Sequence, residues 1–472
     1  MPTTPIPLCV DLDGTLIRSD LLFESALALL RRNPLYFFSF VTWLLRGRAH
    51  LKRQIALRAQ IDPAALPYDE RVVEWLRGEN RPRVLCTASD AQLAEAVAAH
   101  VGVFDTVIAS DGERNLAGRA KGEALRDRYG ERGFDYAGNE RRDLAVWKHA
   151  RRAVVVNAAS SLPAAAAQEC EVERVFERPA GGLKVWLKAL RLHQWAKNLL
   201  VFLPILAGHR VLETQAIVHS FIAFFAFGLC ASGVYVLNDL FDLDADRRHP
   251  RKRLRPFAAG TLPLAYGLVA APLLAIAAFV LAFFAVGPAF AGVLAIYYAL
   301  TLAYSLHLKR LVMLDVVVLA ALYTVRIIGG AAAIGGGLSF WLLAFSMFLF
   351  LSLAMLKRYT ELAALQGGPT TTASGRGYTV DDIPLIQSLG GSSGYLSVLV
   401  LALYINSTAS EALYSRPQIL WLLCPLLLYW ISRVWVIAHR GGMHDDPVVF
   451  ALVDKVSRAV LVLCAIVVAG AI

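Results

Sequence analysis

The chain has few cysteines and none in a paired spacing. Cys9, Cys86, Cys170, Cys230, Cys424 and Cys464 stand alone, three of them in apolar stretches. That excludes a disulfide framework or a structural zinc site, and they read as reduced packing residues. The opening residues MPTTPIPLCVDLDGTL lack a basic segment and a long apolar core, so no signal peptide is expected. Up to about Arg178 there is also no run long enough to cross a bilayer. Leu35–Leu45 is apolar but only eleven residues long, and fits a buried or amphipathic helix. Acids are in deficit, 37 Asp and Glu against 47 Lys and Arg, for a formal net charge of +10. Basic loops of a membrane protein are a commoner cause of such an excess than a nucleic-acid partner, and no nucleic acid is expected.

What the chain has in abundance is apolar residues, 57% of its 472, unevenly spread. Residues 1–180 alternate short apolar runs with charges, as a soluble domain does, and residues 183–472 are a series of long apolar segments, as a membrane domain is. Pro179-Ala-Gly-Gly182 is the linker, and Leu183–Asn198 is a basic amphipathic stretch with Trp186 and Trp195, suited to a membrane interface. About nine spans are expected, near Leu199–Gly208, Gln215–Leu237, Leu264–Phe284, Ala289–Tyr304, Val312–Ile334, Leu338–Leu356, Tyr395–Ser410, Gln418–Ala438 and Val448–Ile472. Loops after the even-numbered spans carry twelve cations: Arg247, Arg248, Arg251, Lys252, Arg253, Arg255, Lys309, Arg310, Lys357, Arg358, Arg376 and Arg440. The other loops carry only Arg210 and Arg416. This bias predicts that the first set of loops, and the soluble domain with them, are cytosolic.

In the soluble part, Ile6–Val10 is a short apolar strand running straight into Asp11-Leu-Asp13-Gly-Thr15, which puts two carboxylates at a strand's carboxyl end, where open α/β sheets build sites. Further strands are predicted at Arg83–Thr87, Thr106–Ala109, Tyr136–Ala137 and Ala153–Asn157, with helices between, which argues for a parallel sheet covered on both faces. Helical sequence over about residues 19–82 interrupts this alternation as an inserted cap. Asp11-x-Asp13-Gly14-Thr15, Thr87 in Cys86-Thr-Ala-Ser, Lys121 in Gly118-Arg-Ala-Lys-Gly-Glu, and the cluster Tyr136-Ala-Gly-Asn-Glu-Arg-Arg-Asp143 resemble the four motifs of the haloacid dehalogenase-like hydrolases. The resemblance implies an α/β, Rossmann-type domain with a helical cap and phosphatase chemistry. Asp11 would be the nucleophile, Asp13 the general acid/base, and Thr87 and Lys121 the phosphoryl holders. Asp11, Asp13 and Asp143 would lie around Mg²⁺. Asn139 stands where that family often has Asp, so the metal site leans on Asp143 and possibly Glu140.

The membrane part opens its chemistry at Tyr235–Gly260, YVLNDLFDLDADRRHPRKRLRPFAAG, where four acids run into six cations. On one helix Asn238, Asp239, Asp242 and Asp246 fall within about 100° of each other, while Asp244 points away. Such a fan of hard oxygens suits Mg²⁺, and the cations suit phosphates. A solvated charge run is the bland alternative. A second cluster, Lys357-Arg-Tyr-Thr-Glu361, ends a span four spans later, a spacing that hints at two similar halves around a shared site. Asp315 and Arg326 lie near one face of a single span, where a pair with other residues is as plausible as a substrate role; His444, Asp445 and Asp446 occupy the last loop.

Asn238-Asp-x-x-Asp242-x-x-x-Asp246 in such a chain resembles the UbiA family of polyprenyl-transferring membrane enzymes. Lys357-Arg-Tyr-Thr-Glu361 replaces the second acidic motif usual in the ring-prenylating members. With Arg191-Leu-His-Gln-Trp-Ala-Lys197-Asn and Gly375-Arg-Gly-Tyr378, the likeness is to the decaprenyl-phosphate phosphoribosyltransferase branch. The resemblance implies an integral protein of a bacterial inner membrane that joins polyprenyl phosphate to the anomeric carbon of phosphoribosyl pyrophosphate. Asp239, Asp242 and Asp246 would bind Mg²⁺, the first two carrying catalysis. Lys197, Asn198, Asn238, Arg247, Arg253, Arg255, Lys309, Arg326, Lys357, Arg358, Glu361, Arg376 and Tyr378 are candidate substrate contacts. The fused phosphatase then has a natural task, removal of the 5-phosphate from the ribosylated lipid. An aromatic prenyltransferase using polyprenyl diphosphate would use the same acids, and a transporter or lipid-binding protein is the more distant alternative.

Overall fold

A computed structural model describes residues 5–111, 114–178, 181–366, 376–443 and 446–472. Part of the linker (Pro179 and Ala180), Gly375, His444 and Asp445 lie outside the described residues. The chain divides into two compact units, Met1–Leu190 with Tyr235–Ala271, and Arg191–Val234 with Pro272–Ile472.

The first unit is built on six strands in the order β3-β2-β1-β4-β5-β6: β1 Leu8–Val10, β2 Arg83–Asp90, β3 Thr106–Ser110, β4 Asp135–Gly138, β5 Arg152–Val156 and β6 Glu171–Phe176. Every pairing is parallel. The five strands expected from apolar runs are present. β6, sequence EVERVF, carries the mixed charge of an exposed edge strand and has no apolar run to betray it. Buried side chains fill both faces of the sheet, with Val10, Leu85, Ala137 and Val154 on one and Cys9, Cys86, Tyr136 and Val155 on the other. This alternation along each strand is the mark of a sheet covered twice.

β1 ends on Asp11, and the chain turns at Gly14 with φ 73. A Cβ there would stand 2.0 Å from Asn139 Nδ2, so only glycine lets the β1 turn close on the end of β4. The expected cap is helical: Leu21–Arg32, Tyr36–Leu45 and Arg48–Ala56 precede a short helix, Glu70–Arg77, that leads back to β2. Asp20 starts the first by accepting from the Leu22 and Phe23 amides. The stretch Tyr235–Ala271 packs in this unit, where Val236, Leu240, Leu243 and Phe257 share a core with Leu27 of the cap and Ala189.

Among the described residues seven helices are long and apolar enough to cross a membrane, rather than the nine expected: Thr214–Phe241, Leu264–Ala285, Pro288–Leu306, Leu314–Ala333, Phe340–Ala363, Val380–Ile405 and Pro417–His439. The first expected span is a 3₁₀ stretch, Leu192–Phe202, followed by a five-residue helix, Leu203–Ala207. The last expected span is broken at Asp454, whose side chain accepts from Ser457 N–H and starts a new helix, Lys455–Ala471. The seventh begins well before the expected Tyr395, because the Gly- and Ser-rich residues ahead of it are packing positions and not a loop. Cβ atoms at Gly390 and Gly394 would meet Trp435 at 2.4 Å and Ile431 at 2.7 Å.

One small residue sets the position of the 3₁₀ stretch. A Cβ on Gly330 would stand 2.1 Å from the Val201 carbonyl oxygen, so Leu192–Phe202 can lie on helix Leu314–Ala333 only while position 330 is bare. Gly330→Ala is therefore expected to destabilise the chain by about 1–3 kcal/mol, as overpacking does. Gly292→Ala, with open space around it, is expected to be neutral or slightly stabilising. Thermal unfolding in detergent compares the two.

Candidate active sites

In the first unit a cavity of about 340 Å³ lies over the carboxyl ends of β1 and β4. Asp11, Asp13, Lys121, Asn139 and Asp143 line its floor, and Leu44, Arg48, Leu51 and Lys52 of the cap face them. Lys121 donates to Asp11 Oδ1 at 2.7 Å and to the Tyr136 hydroxyl at 2.9 Å; that hydroxyl donates to Asp143 Oδ1 at 3.1 Å. The Leu12 amide also donates to Asp11 Oδ1 at 2.9 Å, so both hydrogen bonds to Asp11 among the described residues fall on one oxygen. Asp13 accepts from Leu21 N–H and from Ser89 Oγ, each at 2.7 Å. Asp143 Oδ2 accepts the Asn139 and Glu140 amides, each at 2.9 Å.

Charge is strained in this cavity. Burial, with the neighbouring charges of Asp20 and Asp11, pushes Asp13 up to about 7. Burial and Asp11 push Asp143 up to about 6 against the pull of Lys121. Burial works against Lys121, but Asp11 outweighs it and keeps the lysine charged. Asp13 and Asp143, each raised by burial and by the charge of Asp11, belong to a site that gains from a cation. The donor set fits Mg²⁺ as one or two carboxylates completed by water and phosphate oxygens. Among the described residues Asp11, Asp13 and Asp143 do not gather into a three-ligand group, as had been expected of them. Thr87 is wholly buried and uses its hydroxyl on Ser89 N–H; the cavity wall at this point is Ala88 and Ser89.

The acidic tract is in the same unit, and its helix is not continuous. Thr214–Phe241 stops, and Asp242 sits at the break before a short helix, Leu243–Arg248. The fan drawn on one helix is thereby corrected: Asp239 and Asp246 are buried and Asp242 is half-buried. Asp239 Oδ1 at 3.2 Å and Asp246 Oδ2 at 2.6 Å converge on one nitrogen of Arg255. Two carboxylates that already share a cation fit Mg²⁺ in the two-carboxylate manner. The three acids expected as ligands form no three-ligand group among the described residues. Arg247 is corrected too. It is buried and bound to Glu24 of the cap at 2.6 Å and to the Ala258 carbonyl, which fixes the tract to the cap instead of leaving it for phosphate. Arg253 is exposed, and Asn238 is half-buried.

In the second unit the polar residues sort into three groups. Asp446 Oδ2 accepts from Lys197 at 2.7 Å and from Lys357 at 2.9 Å, and its Oδ1 accepts the Tyr323 hydroxyl at 3.3 Å and Val448 N–H at 3.2 Å. Burial alone would raise the Asp446 carboxyl, but the two lysines outweigh it and hold it well below the carboxylate range. Lys197 has lost most of its water, and burial pulls it down to about 8 despite Asp446. A shared acid leaves this lysine pair with an excess of positive charge. Nearby in the chain, Arg326 donates to Asn198 Oδ1 at 3.0 Å and to the Tyr297 hydroxyl at 2.8 Å, and its guanidinium lies 4.8 Å from the Tyr297 ring centre. These contacts hold Arg326 and Asn198 in a buried structural pair.

The third group gathers four of the expected substrate contacts around Asp315, which pairs with other residues as one of its two expected readings had it. Arg358 is wholly buried and pairs with Asp315 at 2.9 Å and with Glu361, which Arg376 also reaches at 2.8 Å. Tyr378 donates to Asp315 Oδ1 at 2.6 Å. Arg358, Glu361, Arg376 and Tyr378 therefore form one charge-balanced network around Asp315, and Asp315 pairs within it instead of with Arg326. Lys357 and Arg358 point to different partners although they are neighbours, because helix Phe340–Ala363 runs past them and turns successive side chains about 100° apart. Lys309 is half-buried in a 3₁₀ turn, Leu308–Arg310.

Sequence reasoning did not single out Lys52, Arg48, Ser89 or Tyr136 around the cavity, since they come from three separate elements and none sits in a spacing that announces it. Asp446 was only one of three polar residues in a loop; its value lies in two lysines at positions 197 and 357 that no local pattern connects to it.

An α/β unit with buried carboxylates and a set of apolar helices long enough to cross a membrane, with clustered acids and lysines, define a membrane protein with two groups of candidate site residues. Residues 201–453 match the UbiA prenyltransferase family, and the chain belongs to that family. The uncharacterized protein y4nM of Sinorhizobium fredii is 37% identical over 457 residues, 96% of this chain and 88% of that one. The decaprenyl-phosphate phosphoribosyltransferase of Mycolicibacterium smegmatis is 33% identical over 278 residues, 57% of this chain and 86% of that one. A solved UbiA homolog from Archaeoglobus fulgidus, bound to GPP and Mg²⁺, aligns with a TM-score of 0.47 and 14% identity over 60% of this chain and 99% of that one.

Asp446→Asn removes the charge that Lys197 and Lys357 share. A lowered thermal midpoint in detergent is expected, and adding Lys197→Met should recover part of the loss, since two like charges then no longer face each other. Equal midpoints for Asp446→Asn and the parent would contradict the pairing.

Proposed function

We propose that this chain transfers a phosphoribosyl group from phosphoribosyl pyrophosphate to a polyprenyl phosphate, and that its first unit is a haloacid dehalogenase-like phosphatase that then removes the 5-phosphate. The observation that carries the first half is the pair of buried Lys197 and half-buried Lys357 that share Asp446. A lipid phosphate completes the charge balance of such a pair. The identity with decaprenyl-phosphate phosphoribosyltransferases supports the same reading.

In the transfer, the lipid phosphate oxygen attacks the anomeric carbon as pyrophosphate leaves. Bound at Asp239 and Asp246, Mg²⁺ would neutralise the departing oxygens. Arg255, which pairs with those two acids, would then supply a cation of the chain's own to the leaving group. In the second unit, Lys197 and Lys357 hold the lipid phosphate. By the bias of the basic loops, this chemistry is on the cytosolic side.

In the phosphatase, Asp11 attacks phosphorus and forms an aspartyl-phosphate, while Lys121 draws charge from the phosphoryl oxygens. With its pKa raised to about 7, Asp13 is partly protonated near neutrality, so it can give its proton to the departing ribose oxygen. It then takes one from the water that opens the acyl phosphate. Mg²⁺ near Asp11 and Asp143 would add a further positive charge to the phosphoryl group.

Membranes holding the parent chain, given labelled phosphoribosyl pyrophosphate and polyprenyl phosphate, are expected to form a lipid-extractable labelled product. Asp246→Asn should lower that rate by roughly 10²–10³-fold, the size typical of losing transition-state charge stabilisation. Asp11→Asn should leave the transfer intact but yield a product that keeps its 5-phosphate. Release of that phosphate by the Asp11→Asn chain would sink the phosphatase half of the reading. Absence of labelled lipid from the parent chain would sink the other half.

A further inference from the structure

Helix Tyr36–Leu45 of the cap reads YFFSFVTWLL, and each of its side chains is exposed or half-exposed. Phe38 is 68% exposed and Leu45 83%, with Leu35, Phe37, Val41 and Leu44 all above half or at it. An apolar patch of this kind on a soluble unit marks a surface that is covered in use. At ten residues the helix is too short to span a bilayer, but long enough to lie along its surface.

The charge around it chooses the cover. From Ser25 to Ile61 the chain holds no Asp or Glu and seven cations: Arg31, Arg32, Arg46, Arg48, Lys52, Arg53 and Arg58. Lys52 and Arg53 are spent inside the unit, on Ala88 O and Asn115 and on Asp90. The others are exposed: Arg31 and Arg32 before the helix, Arg46 and Arg48 just after it, and Arg58 stacked 5.0 Å from the Trp43 ring centre. Apolar and aromatic side chains flanked by arginines, with Tyr36 and Trp43 toward the two ends, match a headgroup layer of anionic lipid. A protein partner would have to supply both an apolar groove and an acidic rim.

Leu44 is half-exposed on this helix and also lines the cavity, as does Arg48 one turn on. We propose that helix Tyr36–Leu45 lies in the headgroup layer of an anionic membrane and opens the cavity over Asp11 to a lipid-anchored phosphate monoester. The substrate half of this inference rests on the phosphatase reading; the seating of the helix does not. A soluble phosphate ester would have no use for the apolar helix at the cavity wall.

The test uses the full chain in nanodiscs of phosphatidylcholine and phosphatidylglycerol. A nitroxide is attached at Phe38→p-acetylphenylalanine, which avoids the native cysteines. Relaxation of the label by oxygen, which concentrates in the bilayer, should be strong, and relaxation by a water-soluble nickel chelate weak. Strong relaxation by nickel would overturn the proposal, and so would protection from both reagents, which would mean that protein covers the helix. In a second arm, the variant Phe37→Ser/Phe38→Ser/Leu45→Ser is given farnesyl-phosphoribose 5-phosphate in vesicles, and p-nitrophenyl phosphate in solution. The ratio of the two rates should fall at least tenfold from that of the parent. An unchanged ratio would overturn the lipid substrate. A parent chain that hydrolyses neither ester would overturn the phosphatase reading and the substrate with it, while the label still decides where the helix sits.

Discussion

One carboxylate, Asp446, decides how the second unit can be charged. It takes both Lys197 and Lys357 on a single oxygen, drawing together the 3₁₀ stretch Leu192–Phe202, the helix Phe340–Ala363 and the last loop. A buried lysine costs a great deal without a partner, and two lysines with one partner leave a charge to be met. The arrangement is stable enough to persist and is short of one negative charge. That shortfall is what the proposed lipid phosphate would meet. Gly330 contributes from a distance, because the bare position lets the stretch that carries Lys197 lie close on its neighbour.

The first unit uses the same rule with the signs reversed. Asp11 and Asp143 are buried and Asp13 is half-buried, with Lys121 bonded to Asp11, and burial together with the charge of Asp11 raises Asp13 and Asp143 above ordinary carboxylates. Asp239 and Asp246 converge on Arg255. In each case the residual charge is the one a phosphorylated substrate or its metal would neutralise. The charge-balanced networks read differently. Arg358 with Asp315, Glu361, Arg376 and Tyr378 leaves little charge over, and Arg247 with Glu24 joins the acidic tract to the cap. Balanced clusters of this kind hold a fold together, and unbalanced ones bind.

The sheet was legible because its strands are apolar runs that end in carboxylates or turns, and Asp11-x-Asp13-Gly14 could be read as a site from the strand before it. β6 escaped notice because an exposed edge strand needs no apolar run. Seven of the apolar spans were legible from hydropathy alone. The broken first and last segments were not, because apolarity says nothing about a cap at Asp454, and small residues at Gly390 and Gly394 look like a loop until their partners are known. Among the acids, the helix is irregular at Asp242, although the Asp242 and Asp246 amides still bond four residues back and Asp239 and Asp246 still converge on Arg255. Treating all six cations of the tract alike hid that Arg247 belongs to the cap and Arg255 to the acids. Long-range pairs such as Lys197 with Asp446 leave no trace in local spacing, which is why the sequence offered Lys197 and Lys357 separately and never as a pair.

The claim that the lysine pair selects a phosphate-bearing acceptor is tested most directly by substrate discrimination in one preparation. Purified full-length chain in nanodiscs would be given polyprenyl phosphate with phosphoribosyl pyrophosphate, and separately an aromatic hydroxy acid with polyprenyl diphosphate. Pyrophosphate release would be followed in both. The account predicts release with the first pair, lost on Lys357→Met, and none with the second. Release with the aromatic pair, unaffected by Lys357→Met, would contradict it.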